Sequence, residues 1–266
     1  MSETSNTLSR RSALRFLGVA AGAMVALKVA PASASSLLGD SPDSALPSGA
    51  QTLASLTQRL AAAPRRREFK SVPFMVSEPE YWDHEAAAEI LSYRGRPSQA
   101  WENSDIAAAW PGLMRESLNG QVFAHHNPDF LSVSATHGSA HLALFNQDMW
   151  DKYDLAGKTG GVATRNIFII EKRGVSPSDD HENVAGFYGA MNNNIISLQR
   201  RGAVFVACHD SIHAIARGLQ AKAMKDPDVI AADLTNNLIP GAVLVPSVVA
   251  FLAQLQRAGF TYAKGA

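Results

Sequence analysis

The sequence is poor in cysteine: Cys208 is the single one in 266 residues. A lone thiol excludes an intramolecular disulfide framework and any zinc site built on two or more thiolates. There is no excess of either charge, with Lys+Arg 24 against Asp+Glu 24. A nucleic-acid partner is therefore not expected, because tracking a phosphate backbone needs a strong basic surplus. Aromatic residues are sparse at 8%, and the 19 Gly and 13 Pro are ordinary for this length, which removes fibrous and low-complexity classes. What is present is 46% hydrophobic residues over a length that suits one large domain or two small ones. Such a chain can bury a sizeable core.

The N-terminus reads as an address. Ser9-Arg10-Arg11-Ser12 carries the paired arginines of a twin-arginine export signal, followed by a weakly apolar run from Phe16 to Ala30 and small residues at Ala32-Ser33-Ala34. The run is too short, and too near a cleavage site, for a permanent span, so no membrane span is expected once residues 1–34 are removed. The expected location is the bacterial periplasm. Removing the signal takes four basic residues and one acidic residue from the 24 of each, leaving a net charge of −3. The twin-arginine route carries proteins that fold, or load a cofactor, before crossing, but no residue pattern identifies a cofactor.

Along the remaining chain, residues 35–50 read as a disordered Ser/Pro/Gly/Asp linker. Residues 51–104 read as an irregular extension with one helix, Leu53 to Ala62. The Arg65-Arg66-Arg67 run reads as a solvated helix end. From residue 105 onward, helix and strand alternate. Strands are expected at Phe130–Ala135, Ala203–Ala207, Ala242–Val245 and Phe260–Ala263, and Asn166–Glu171 is a strand or an extended loop. Helices are expected at Ile106–Leu118, Ser139–Lys152, from Asp180 or His181 to Arg201, Asp210–Met224 and Ser247–Ala258. This alternation predicts an α/β fold, a mostly parallel sheet with helices on both faces.

In such sheets ligands sit beyond the carboxyl ends of the strands. Two places meet that rule, His137-Gly138-Ser139 and Cys208-His209-Asp210. Neither carries GxGxxG or GxxxxGK[ST], so a dinucleotide or P-loop cradle is absent there. Cys208 ends a strand and precedes a helix, where backbone N–H groups and the helix dipole favour thiolate and His209 adds charge when protonated. The alternative is a small buried hydrophobe at a strand end. His137 and His141 are four apart, as are His209 and His213, so each pair shares a helix face and the four form a candidate metal cluster. Asp148 and Asp210 are candidates to orient the rings; His137 and Asp210 are also candidate ligand-binding residues. His125-His126 reads as surface.

Several stretches resemble the DsrE/DsrF-like family of sulfur-relay proteins, particularly its exported members. They are Leu131-Ser-Val-Ser-Ala-Thr-His137-Gly138, Ala143-Leu-Phe-Asn-Gln-Asp-Met-Trp150-Asp-Lys-Tyr153, Leu198-Gln-Arg-Arg-Gly202-Ala-Val-Phe-Val-Ala-Cys208, Val243-Leu-Val-Pro246-Ser-Val-Val, and Leu255-Gln256-Arg-Ala-Gly259-Phe-Thr-Tyr262. The likeness spans roughly residues 105–266. It implies a DsrE-like, flavodoxin-like three-layer α/β fold and a homo-oligomer. It also implies that Cys208 carries persulfide sulfur between a donor and an acceptor partner. The sequence departs from the relay pattern in its export signal and in the His209/His213 pair flanking the cysteine. The second reading is a non-enzymatic periplasmic protein that binds a metal or small ligand through the histidines.

Overall fold

The computed structural model describes residues 44–265, which belong to one compact unit. The expected export signal and the first part of the expected linker lie outside the described residues. Five parallel strands form one sheet in the order β4-β3-β2-β1-β5. They are β1 (Ser98–Asn103), β2 (Leu131–Thr136), β3 (Val204–Cys208), β4 (Val243–Val245) and β5 (Thr261–Lys264). Register runs Ser98 with Leu131, Val133 with Val204, Val206 with Val243, and Gln99 with Thr261.

Parallel neighbours require a crossover between strands, and here helices supply it on both faces. One face carries α1 (Gln51–Ala62), α2 (His84–Leu91) and α8 (Val248–Arg257), whose Leu56, Ile90 and Leu255 pack on Val133, Val206 and Val243. The other carries α3 (Trp110–Asn119), α4 (Gln147–Tyr153), α5 (Ile195–Arg200), α6 (His209–Ala223) and α7 (Pro227–Asn236). There Trp110, Trp150, Ile212 and Ile230 close over Phe205 and Ala207. The expected α/β three-layer architecture is therefore present. The order differs from the flavodoxin order 2-1-3-4-5, because here β1 to β4 advance in one direction and β5 returns beside β1.

Every residue of β3 is buried, as its continuous apolar run predicts for a central strand. In β2 the faces split by the two-residue period: Leu131, Val133 and Ala135 pack on the α8 side, while buried Ser134 bonds Asn103 Nδ2 and Thr136 Oγ1, each at 2.7 Å.

Several expectations need correction. Ser98–Asn103, assigned to an irregular extension, is an inner strand of the sheet. Its Ser-Gln-Ala-Trp-Glu-Asn composition carries no apolar alternation, and pairing on both sides overrides it. Residues 44–50, assigned to a disordered linker, are held down: Ala45 is buried and its N–H reaches Arg200 O at 2.8 Å. The long helix from residue 180 reduces to α5, because Asn194 caps the chain at Ser197 N–H (2.8 Å) and the stretch before it is turns. The Ser139–Lys152 helix is split into a 3-10 segment, Gly138–Leu144, and α4, where Asn146 accepts the Met149 N–H.

The arginine run is not a solvated helix end. Arg67 chelates fully buried Asp83 at 3.1 and 2.8 Å, and Arg66 pairs with Glu85 at 2.7 Å. Asp83 also accepts the N–H of Leu244 (2.8 Å) and donates its own N–H to Leu244 O (3.0 Å). The 64–84 segment thereby occupies the outer edge of β4, which otherwise offers unpaired backbone groups to another chain.

Candidate functional site

The two places selected from the sequence are adjacent, because β2 and β3 are neighbours. Gly138 links them, its N–H donating to Ser211 Oγ at 3.1 Å. Gly138 has φ +56°, and a Cβ there would meet Ser104 O at 2.5 Å, so only glycine fits the close passage of this turn over the end of β1. Ser139 Oγ accepts the Ile106 N–H at 3.0 Å, tying the same turn to the β1–α3 connection.

A cleft of about 280 Å³ opens between this turn and the exposed side of α6, lined by Gly138, Ser139, Leu142, Lys158, Ser211 and Ile215 among others. Lys158 reaches across it from a neighbouring turn, its Nζ donating to Gly218 O at 3.0 Å. One cation, two hydroxyls and an apolar wall therefore face one space at the carboxyl ends of the central strands.

Cys208 lies at the switch point of the sheet, where the chain after β3 runs to α6 on one face and the chain after β4 runs to α8 on the other. Its side chain points to the α8 side, among Val206, Val245 and Val248, and is 3% exposed. The Val248 N–H donates to Sγ at 3.4 Å. The helix terminus facing the sulfur is thus that of α8, not α6 as the sequence placement led us to expect. The reason is the strand period: the residue ending β3 turns away from the helix that follows it.

His209 does not supply charge to the thiol. It is buried, its Nε2 lies 2.8 Å from Pro73 O, and burial pushes it down to about 4, so it stays neutral. His213 sits 4.7 Å from it, centroid to centroid, under the ring of Phe74, with Nδ1 3.8 Å from Asp228; burial lowers it too. His141 is wholly buried beside Phe145, pushed down to about 3 by burial, and neither ring nitrogen has a partner.

The four histidines do not assemble as a metal cluster. Among the described residues no three His, Cys, Asp or Glu side chains form a group able to hold a metal. The i, i+4 argument fails at His137/His141 because that stretch is a 3-10 segment. His137 instead turns toward β1, with Nε2 3.0 Å from Glu102 Oε1. The other Glu102 oxygen accepts the Tyr262 hydroxyl of β5, and these bonds, that of Tyr262 first, hold Glu102 below the ordinary carboxylate range. Asp210 and Asp148 are exposed, and the Asp210 N–H donates to Pro246 O at 3.2 Å. His125 and His126 are exposed, as expected.

Sequence reasoning missed Glu102, Tyr262 and Lys158. Glu102 and Tyr262 lie on strands that meet His137 only through sheet order, and Lys158 comes from a turn without a motif. Fold and site together define a three-layer α/β protein with a small mixed-polarity cleft at the carboxyl ends of its strands. Compared with family models, curated proteins and solved structures, the chain matches none. Among the described residues, no helix is long and apolar enough to cross a membrane.

Proposed function

We propose that the chain is an exported, non-enzymatic protein that binds a small ligand in the cleft between the 138–142 turn and α6. The observation carrying this reading is that Ser139, Ser211 and Lys158 line one cleft together with Leu142, Ala214 and Ile215. That pairing of a few placed polar groups with an apolar surface is what small-molecule sites offer. The ligand has an oxygen-rich end for the hydroxyls and ammonium and a short apolar body. The periplasmic address rests on the Arg10-Arg11 signal.

The test is mass spectrometry of small molecules released on denaturing natively purified protein. A stoichiometric species in wild type, absent from Ala214→Trp, is expected. No released species, or equal release from the variant, would overturn the reading.

A second reading keeps Cys208 as the carrier of sulfane sulfur in a DsrE-like oligomer, exchanging it with a protein donor or acceptor. It is favoured by the Val248 N–H on the sulfur, a contact that stabilises thiolate. Burial opposes it, since attack on a sulfane sulfur needs access. Iodoacetamide labelling of folded protein across pH decides: labelling well below about pH 8.5, the ordinary thiol value, supports it. Labelling only in denaturant removes it.

A further inference from the structure

At the opposite, amino end of the sheet lies a cavity of about 540 Å³. It is bounded by residues 44–48, Val122 and Phe123 in the π-helical turn that follows α3, Pro128 before β2, and Tyr188. Arg201, at the end of α5, forms part of its wall. The residue is 4% exposed, its guanidinium stacks 5.1 Å from the Tyr188 ring, and its Nη2 has no hydrogen-bond partner.

Arg200, one residue earlier, shows the ordinary solution: it reaches both oxygens of Glu171 at 2.8 and 2.7 Å. Among the described residues Arg201 has no such carboxylate, and no Asp or Glu lines the cavity. Burial pushes Arg201 down to about 10, opposed by Tyr188 and reinforced by the nearby cation of Arg115. A buried, unpaired guanidinium is costly, and its planar fork matches a carboxylate. The rest of the wall is mixed: Leu46, Val122, Phe123 and Tyr188 supply apolar and aromatic surface beside the polar Ser44, Ser48 and His126.

We propose that this cavity binds a small organic monocarboxylate with an apolar or aromatic body, its carboxylate on the Arg201 guanidinium and its body against Phe123 and Leu46. A single negative charge balances the one unpaired guanidinium, and inorganic phosphate lacks the body that packs on Phe123 and Leu46. This site is separate from the cleft beside α6 and stands whether or not that cleft is occupied.

The full chain is titrated calorimetrically with benzoate, phenylacetate and indole-3-acetate, with phenylacetamide as the neutral counterpart and inorganic phosphate as the small anion. At least one carboxylate saturates at one per chain. Phenylacetamide and phosphate bind at least about tenfold more weakly, and Arg201→Gln loses about tenfold or more, as expected for a charge-assisted pair. Val122→Trp, which keeps the arginine but fills the cavity, also abolishes binding while the far-ultraviolet spectrum is unchanged, so the test survives a misfolded Arg201→Gln. Ala214→Trp leaves binding intact. Failure of all three carboxylates to bind, equal binding of phenylacetamide or phosphate, or unchanged binding in Val122→Trp overturns the proposal.

Discussion

His141 and His209 carry the pH response expected of this fold. Both are held neutral by burial, at about 3 and about 4, whereas in an unfolded chain they titrate near 6.5. Between those values the unfolded chain binds more protons, so stability falls as pH drops below about 6.5 and is fully present above it. Each histidine contributes about 1.4 kcal/mol per pH unit inside its window. His141→Leu loses no hydrogen bond, so it is at least as stable as wild type at pH 7.5. Its urea midpoint declines less steeply between pH 6 and 4.5; an unchanged slope refutes the assignment. Asp83 is the opposite case, a buried charge with every oxygen used. Asp83→Ala strands Arg67 and two backbone N–H groups and costs about 3–5 kcal/mol in urea unfolding.

At the scale of elements, side-chain caps decide where helices start. Ser247 accepts the Ala250 N–H at 3.3 Å to open α8, and Ser247→Ala costs about 1 kcal/mol. Asn194 opens α5 and also donates to Asn192 Oδ1 at 2.7 Å while buried. Asn194→Ala therefore costs more, about 2 kcal/mol, and chemical denaturation of the two variants ranks them in that order. These caps bear on what was legible beforehand. The strands β2, β3, β4 and β5 and the helices α1, α6 and α8 were readable, because continuous apolar runs in β3 and β4, short β-prone runs in β2 and β5, and helical periodicity mark them locally. β1 was not, since Gln99 and Glu102 interrupt it and its stability comes from partners on both sides. The long helix expected before β3 failed because the Asn-rich stretch 192–194 bonds loop carbonyls, as Asn192 Nδ2 does to Phe187 O, instead of continuing a helix.

For the whole molecule, the segment before residue 105 is part of the sheet and its edge, not an appendage. β1 lies between β2 and β5, and Asp83 with its arginines closes β4. A chain beginning at Asp105 therefore cannot close its core, and its near-ultraviolet dichroism and amide protection are lost; a cooperative unfolding transition from that fragment contradicts this account.

By itself the sequence determined the α/β class, the positions of four strands and the two turns beside the cleft, because local hydrophobic pattern and strand-to-helix order suffice for these. Only the tertiary structure decided which way side chains face. It turned Cys208 toward α8, paired His137 with Glu102 of β1, and set Arg201 in a cavity without a counter-charge among the described residues, since strand pairing and helix type act between segments far apart in the chain.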